Sequence, residues 1–94
     1  MEKKVITLDE LRVAISDVLN DEIGEDVKKM SDDSLLESNM LEDLIMDSLD
    51  IIESVMILEK NHGISIPDNS YENFRKNGCT VRALLNEINR VIGQ

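Results

Sequence analysis

The chain has 94 residues, with 10 basic against 20 acidic side chains and a formal net charge of −10. That length suits one domain and leaves no room for a second core, so residues 1–94 read as a single unit with 1–6 as a loose lead-in. The charge argues against nucleic acid, whose phosphates need a basic surface, and no apolar run approaches the roughly 18 residues of a membrane helix. With no signal-peptide pattern at its start, a cytoplasmic protein that inserts into no membrane is expected.

At 41% hydrophobic residues, with one Tyr, one Phe and no Trp, the core must be aliphatic. Cys79 is the single cysteine, so no internal disulfide forms and a reducing compartment is the natural reading. It lies beside Thr80 at an expected helix start and reads as a structural cysteine, with no histidine near it in sequence.

In chain order, Thr7-Leu8-Asp9-Glu10 matches a capping box, and Leu8, Leu11, Ile15, Val18 and Leu19 fall at helical spacing. A first helix to about Asn20 follows, its other face (Asp9, Arg12, Ser16, Asp17) solvated. Residues 21–41 read as a long polar connection that packs on the core through Ile23, Val27, Met30, Leu35 and Leu36, with a short helical turn around 38–44. Asp47 is a good N-cap, and a second helix should run from Ser48 to about Asn61, ending near Gly63. Ile51, Val55 and Leu58 form one apolar sector of it; Leu49, Ile52 and Met56 form another. Together they span roughly 160°, wider than one face of a small bundle needs. The second sector, bordered by Asp50, Glu53 and Glu59, is therefore expected to stay partly exposed as a contact surface.

Ile64-Ser65-Ile66 is extended before Pro67, which disfavours helix in the residue ahead of it. Asp68, Asn69 or Ser70 caps a short third helix carrying Tyr71 and Phe74, and Asn77-Gly78 ends it. Thr80 caps a fourth helix with Val81, Leu84, Leu85, Ile88, Val91 and Ile92 on one side. The expected fold is all-α, a small bundle of three long helices and one short third helix.

Catalytic machinery is missing. The single histidine, His62, allows neither a Ser-His relay nor a zinc site of several His and Cys ligands, and no metal site is expected. It continues the line of Ile51, Val55 and Leu58 and reads as a helix-end packing residue. Ser48 sits in the first turn of its helix with Asp, Leu and Met as neighbours, so it reads as a place of attachment rather than a nucleophile this chain activates. Nine acids and no Lys or Arg lie between Met30 and Glu59, a field that would draw basic patches of other proteins.

Asp47-Ser48-Leu49-Asp50 opening an apolar and acidic helix, followed by Ile66-Pro67-Asp68, resembles the acyl carrier proteins over about residues 7–92. The resemblance implies a four-helix bundle of acyl-carrier type and a monomeric carrier without enzyme activity. It implies a 4'-phosphopantetheine arm joined covalently to Ser48 by a separate phosphopantetheinyl transferase, using coenzyme A and magnesium. Acyl groups would ride on that arm as thioesters for fatty-acid, polyketide or related lipid biosynthesis. Partner enzymes with basic docking patches would read Asp47, Leu49, Asp50, Ile52, Glu53, Met56 and Glu59.

The sequence departs from the family pattern in three places. Ile45 replaces a glycine two positions before Asp47, and a β-branched residue takes positive φ at a cost, so a different loop path is expected. Ser54 and His62 replace apolar residues, which would make a cargo cavity smaller or more polar. Residues 38–41 look like an insertion. These differences suggest a specialised carrier. An unmodified acidic helical adaptor and a carrier of aminoacyl cargo are the alternatives.

Overall fold

A computed structural model of the chain describes residues 5–93, so residues 1–4 of the expected lead-in lie outside the described residues. Among the described residues six helices follow one another: α1 Leu8–Leu19, α2 Glu22–Lys29, α3 Asp32–Glu37, α4 Ser48–His62, α5 Asn69–Lys76 and α6 Val81–Ile92. The fold is all-helical, and α1, α4, α5 and α6 are the four helices the periodicity predicts. No described helix is long and apolar enough to cross a membrane.

α1 begins in the expected capping box. The Thr7 hydroxyl accepts from the Glu10 amide at 3.2 Å, and the Glu10 carboxylate accepts from the Thr7 amide at 3.3 Å. Ile6, expected in a loose lead-in, is instead buried and fastened to α6. It donates to Asn89 Oδ1 at 2.8 Å and accepts from Asn89 Nδ2 at 3.0 Å.

The polar connection contains two short helices that periodicity did not reveal. Asp21 caps α2 by accepting from the amides of Ile23 and Gly24, and Ser31 caps α3 by accepting from Ser34. Helices this short are not stable alone, so tertiary contacts hold them. α2 lies against α1, where Gly24 is buried and a Cβ would come within 3.1 Å of the Ser16 carbonyl oxygen. Val27 and Leu35 are buried and Met30 packs on the core, while Ile23 and Leu36 stay only partly covered.

The α1 face expected to be solvated is half buried by this arrangement. Ser16 lies under α2, and the Arg12 guanidinium reaches the carbonyls of Val27 at 2.8 Å and Met30 at 2.7 Å, and Asp32 at 2.6 Å. Arg12 thus clamps the C-terminal end of α2, adding to the bond the Val27 carbonyl accepts from the Met30 amide and engaging the carbonyl of Met30 itself. His62 also differs from expectation. Its Nε2 is bonded to the Glu10 carboxylate across α1 and α4, so it is a polar link between helices rather than an apolar packing residue. Burial pushes the Glu10 carboxyl up, but the Thr7 amide and His62 outweigh it and leave the group below its usual range.

The helical turn expected around 38–44 is a single hydrogen-bonded turn, Asp43 donating to the Asn39 carbonyl at 2.8 Å. The segment is tied to the start of α6: Met40 donates to the Cys79 carbonyl at 2.8 Å and Val81 to the Ser38 carbonyl at 3.0 Å. Asn39 and Thr80 form one antiparallel bridge there. Cys79 itself is partly buried with φ 61° and serves the backbone turn into α6. The core is aliphatic around Phe74, with Leu11, Ile15, Ile51, Leu58, Val81 and Ile88 fully covered.

Candidate functional site

Ser48 is the first residue of α4, and its position follows from a capping box one residue earlier. Asp47 Oδ1 accepts from the Asp50 amide at 2.8 Å, and Asp50 Oδ2 accepts from the Asp47 amide at 3.3 Å. Each aspartate therefore commits an oxygen to starting the helix, and Asp47 remains exposed. Ser48 is exposed too, and among the described residues none is hydrogen-bonded to its hydroxyl. It is an accessible oxygen at the positive end of a helix dipole, with no base beside it.

The loop before it is held at both ends by burial. Leu44 and Met46 insert into the core, and Met46 donates to the Met40 carbonyl at 2.9 Å. With its two neighbours both turned inward, Ile45 takes φ 55° and projects outward, 68% exposed. Ile45 adopts the left-handed conformation despite its cost, because the buried side chains on either side dictate the backbone.

The two apolar sectors of α4 separate as expected. Ile51 and Leu58 are buried, whereas Leu49 is 61%, Ile52 43% and Met56 57% exposed. Glu53 lies exposed among them. Ile45, Leu49, Ile52 and Met56 thus extend one apolar surface along α4 from the turn before Ser48. Ile45 was expected only as a departure from the family pattern, and its place on this surface needed the backbone to reveal it. Glu59 stands apart from the other acids. It is half-buried, and its Oε2 accepts from the Ile66 amide at 2.7 Å, so it holds the extended segment ahead of α5 against α4.

Behind this face a cleft of about 500 Å³ opens between α4, α5 and α6. Ile51, Val55, Leu84 and Ile88 form its apolar walls, with Met56 and Ile52 at the α4 side and Pro67 and Tyr71 opposite. Ser54 and His62, expected to make such a cavity more polar, do not line it. Ser54 is buried elsewhere on α4 and donates to the Ile51 carbonyl at 2.8 Å. The buried polar group of the cleft is instead Ser70, second in α5. Near it Glu87 receives Arg90 through Nε at 3.0 Å and Nη2 at 2.6 Å, and Asn73 at 3.2 Å. Arg90 chiefly, against the effect of burial and helped by Ser70 and Asn73, lowers the Glu87 carboxyl to about 2.

No family model and no solved structure matches the chain. Several known proteins do. The acyl carrier protein of Campylobacter fetus subsp. fetus is 38% identical over 60 residues, covering 64% of this chain and 78% of that protein. That of Wolinella succinogenes is 37% identical over 70 residues, covering 74% and 92% respectively. An acyl carrier protein of Clostridium perfringens is 37% identical over 65 residues, covering 69% and 86%. The chain belongs to the acyl carrier proteins. As a member of that family it has an acyl carrier role and is not an enzyme. An acyl carrier needs an accessible attachment point, a place for cargo and a face for enzymes, and the N-terminal half of α4 borders candidates for all three.

Proposed function

We propose that Ser48 is the attachment point of a 4'-phosphopantetheine arm, and that the chain presents acyl cargo on it for fatty-acid or polyketide-type synthesis in the cytoplasm. The observation that carries this reading is the exposed, unengaged Ser48 hydroxyl at the start of α4. The residues present fit such a group. A phosphodiester there would face the free backbone amides and the positive end of the α4 dipole. The arm, when bound, supplies a terminal thiol on which acyl groups are held as thioesters. The chain supplies the rest: a fixed oxygen, an acidic border and an apolar cleft that excludes water from cargo.

A separate transferase using coenzyme A and magnesium would load Ser48, since the chain offers no base of its own. That enzyme and the acyl-processing enzymes would dock on Asp47, Leu49, Asp50, Ile52, Glu53 and Met56. Individual exposed ion pairs contribute only about 0.2–1 kcal/mol, so docking is weak, fast and salt-sensitive, which suits a carrier that leaves each enzyme quickly. Glu59 contributes to this face through the backbone it positions rather than as a free charge.

The test is direct. Incubation with coenzyme A, magnesium and a broad-specificity phosphopantetheinyl transferase should add one phosphopantetheine mass to the wild type and none to Ser48→Ala. An unmodified wild type would leave an acidic adaptor as the better account.

A further inference from the structure

We propose that Ile45 is a specificity-determining contact residue for the loading of Ser48, its side chain entering an apolar pocket of the phosphopantetheinyl transferase. This rests on the carrier reading of Ser48 and adds a feature of the enzyme that loads it. Ile45 combines φ 55° with a side chain 68% exposed. The first is a cost to the fold for a β-branched residue, and the second leaves little packing to offset it. Leu44 and Met46, buried on either side, dictate the backbone there but not the side chain it carries. Glycine or asparagine would follow the same path at less cost. The other non-glycine residues with positive φ differ from Ile45. Asn20, at φ 45°, is a residue type suited to the left-handed region and closes α1, and Cys79, at φ 61°, is partly buried.

A strained and exposed apolar side chain beside a reacting group gains its stabilisation from another molecule. Ile45 precedes Ser48 by three residues and continues the exposed apolar surface of Leu49, Ile52 and Met56. Glu42, Asp43 and Asp47 flank it in sequence, all exposed, and no Lys or Arg lies between Met30 and Glu59. The pocket that receives Ile45 is therefore rimmed by basic side chains. The transferase is the occupant because its reacting atom is Ser48 Oγ itself. Loading joins that oxygen to the pantetheine-side phosphorus of coenzyme A, adenosine bisphosphate leaves, and the serine proton passes to a base of the enzyme. Enzymes that act on cargo work at the far end of the arm and are free to meet the chain elsewhere. The transferase has to close over the turn that holds Ile45.

The test measures kcat and KM for loading by the transferase encoded in the same genome, on wild type, Ile45→Gly, Ile45→Ala and Ile45→Met. All three variants keep Leu44 and Met46, so the turn stays anchored. Covering the exposed part of an isoleucine corresponds to about ten-fold in binding, so kcat/KM should fall about that much in both Ile45→Gly and Ile45→Ala, through KM. Glycine relaxes the backbone whereas alanine keeps the Cβ, so equal losses trace the effect to the missing side chain and not to loop flexibility. Ile45→Met restores apolar bulk and should load within about two-fold of the wild type. A loss in only one of Ile45→Gly and Ile45→Ala, or in neither, overturns the proposal, as does a failure of Ile45→Met to restore loading. In each of these cases the loaded wild type leaves the carrier reading intact. Absence of any phosphopantetheine mass on the wild type takes down both.

Discussion

Replacing Ile45 by glycine should stabilise this protein, although it deletes a large apolar side chain. Ile45 holds φ 55° and is 68% exposed. A β-branched residue in the left-handed region costs on the order of 2 kcal/mol, which glycine avoids. Against this, glycine adds unfolded-chain entropy, about 0.5–1 kcal/mol, and the loss of the one-third of Ile45 that is covered costs about 0.5 kcal/mol. The balance is a gain of about 0.5–1 kcal/mol, or roughly 2–6 °C in melting temperature for a domain of this size. Ile45→Ala is the control. It removes nearly the same side chain but keeps the Cβ, so glycine should exceed it by about 1 kcal/mol. Urea melts with unchanged slope measure both. If Ile45→Gly is destabilising by more than about 1 kcal/mol, the backbone is not strained at this residue and Ile45 contributes packing that its exposure does not reveal.

Asp47→Ala removes the side chain that starts α4 and should lower stability by about 1 kcal/mol, read from thermal melts. Glu53→Lys reverses a charge on the docking face and should slow phosphopantetheine transfer to Ser48 at low salt, the gap closing as salt rises; an unaltered rate at low salt would refute docking there. Arg12→Met leaves the carbonyls of Val27 and Met30 without their clamp and should cost about 2 kcal/mol, with faster amide exchange concentrated in α2 and α3. Glu87 has its carboxyl lowered to about 2 by Arg90 foremost, so its stabilising contribution is complete above the unfolded value of 4.5 and is lost as pH falls from there towards 2. Melting temperature should fall steeply across that window in the wild type and less so in Glu87→Gln.

The helix starts at Thr7, Asp47 and Thr80 were legible because a cap is a contract between residues three apart, and the Gly63 stop needs only one residue with φ 62°. α2 and α3 carried caps as well, in Asp21 and Ser31, but they are too short and polar to show a period. Packing on α1 and α6 makes them helices, and packing is not written locally. Arg12 and His62 were misread for the same reason: their partners lie 15 to 20 residues away for Arg12 and 52 for His62. The site divides likewise. Ser48, its two aspartates and the surplus apolar sector of α4 follow from spacing along one helix. Ile45's left-handed backbone and Glu59's turn inward to Ile66 follow from how helices meet.

Chain order alone determined that this polypeptide would be helical, acidic and furnished with a serine at the head of an amphipathic helix, since those properties depend on neighbours within about four residues. Which polar side chains became clamps, which backbone carried strain and what lines the cleft were decided only when distant segments closed on one another. Burial and hydrogen-bond geometry act through space, and a linear pattern does not specify them in advance.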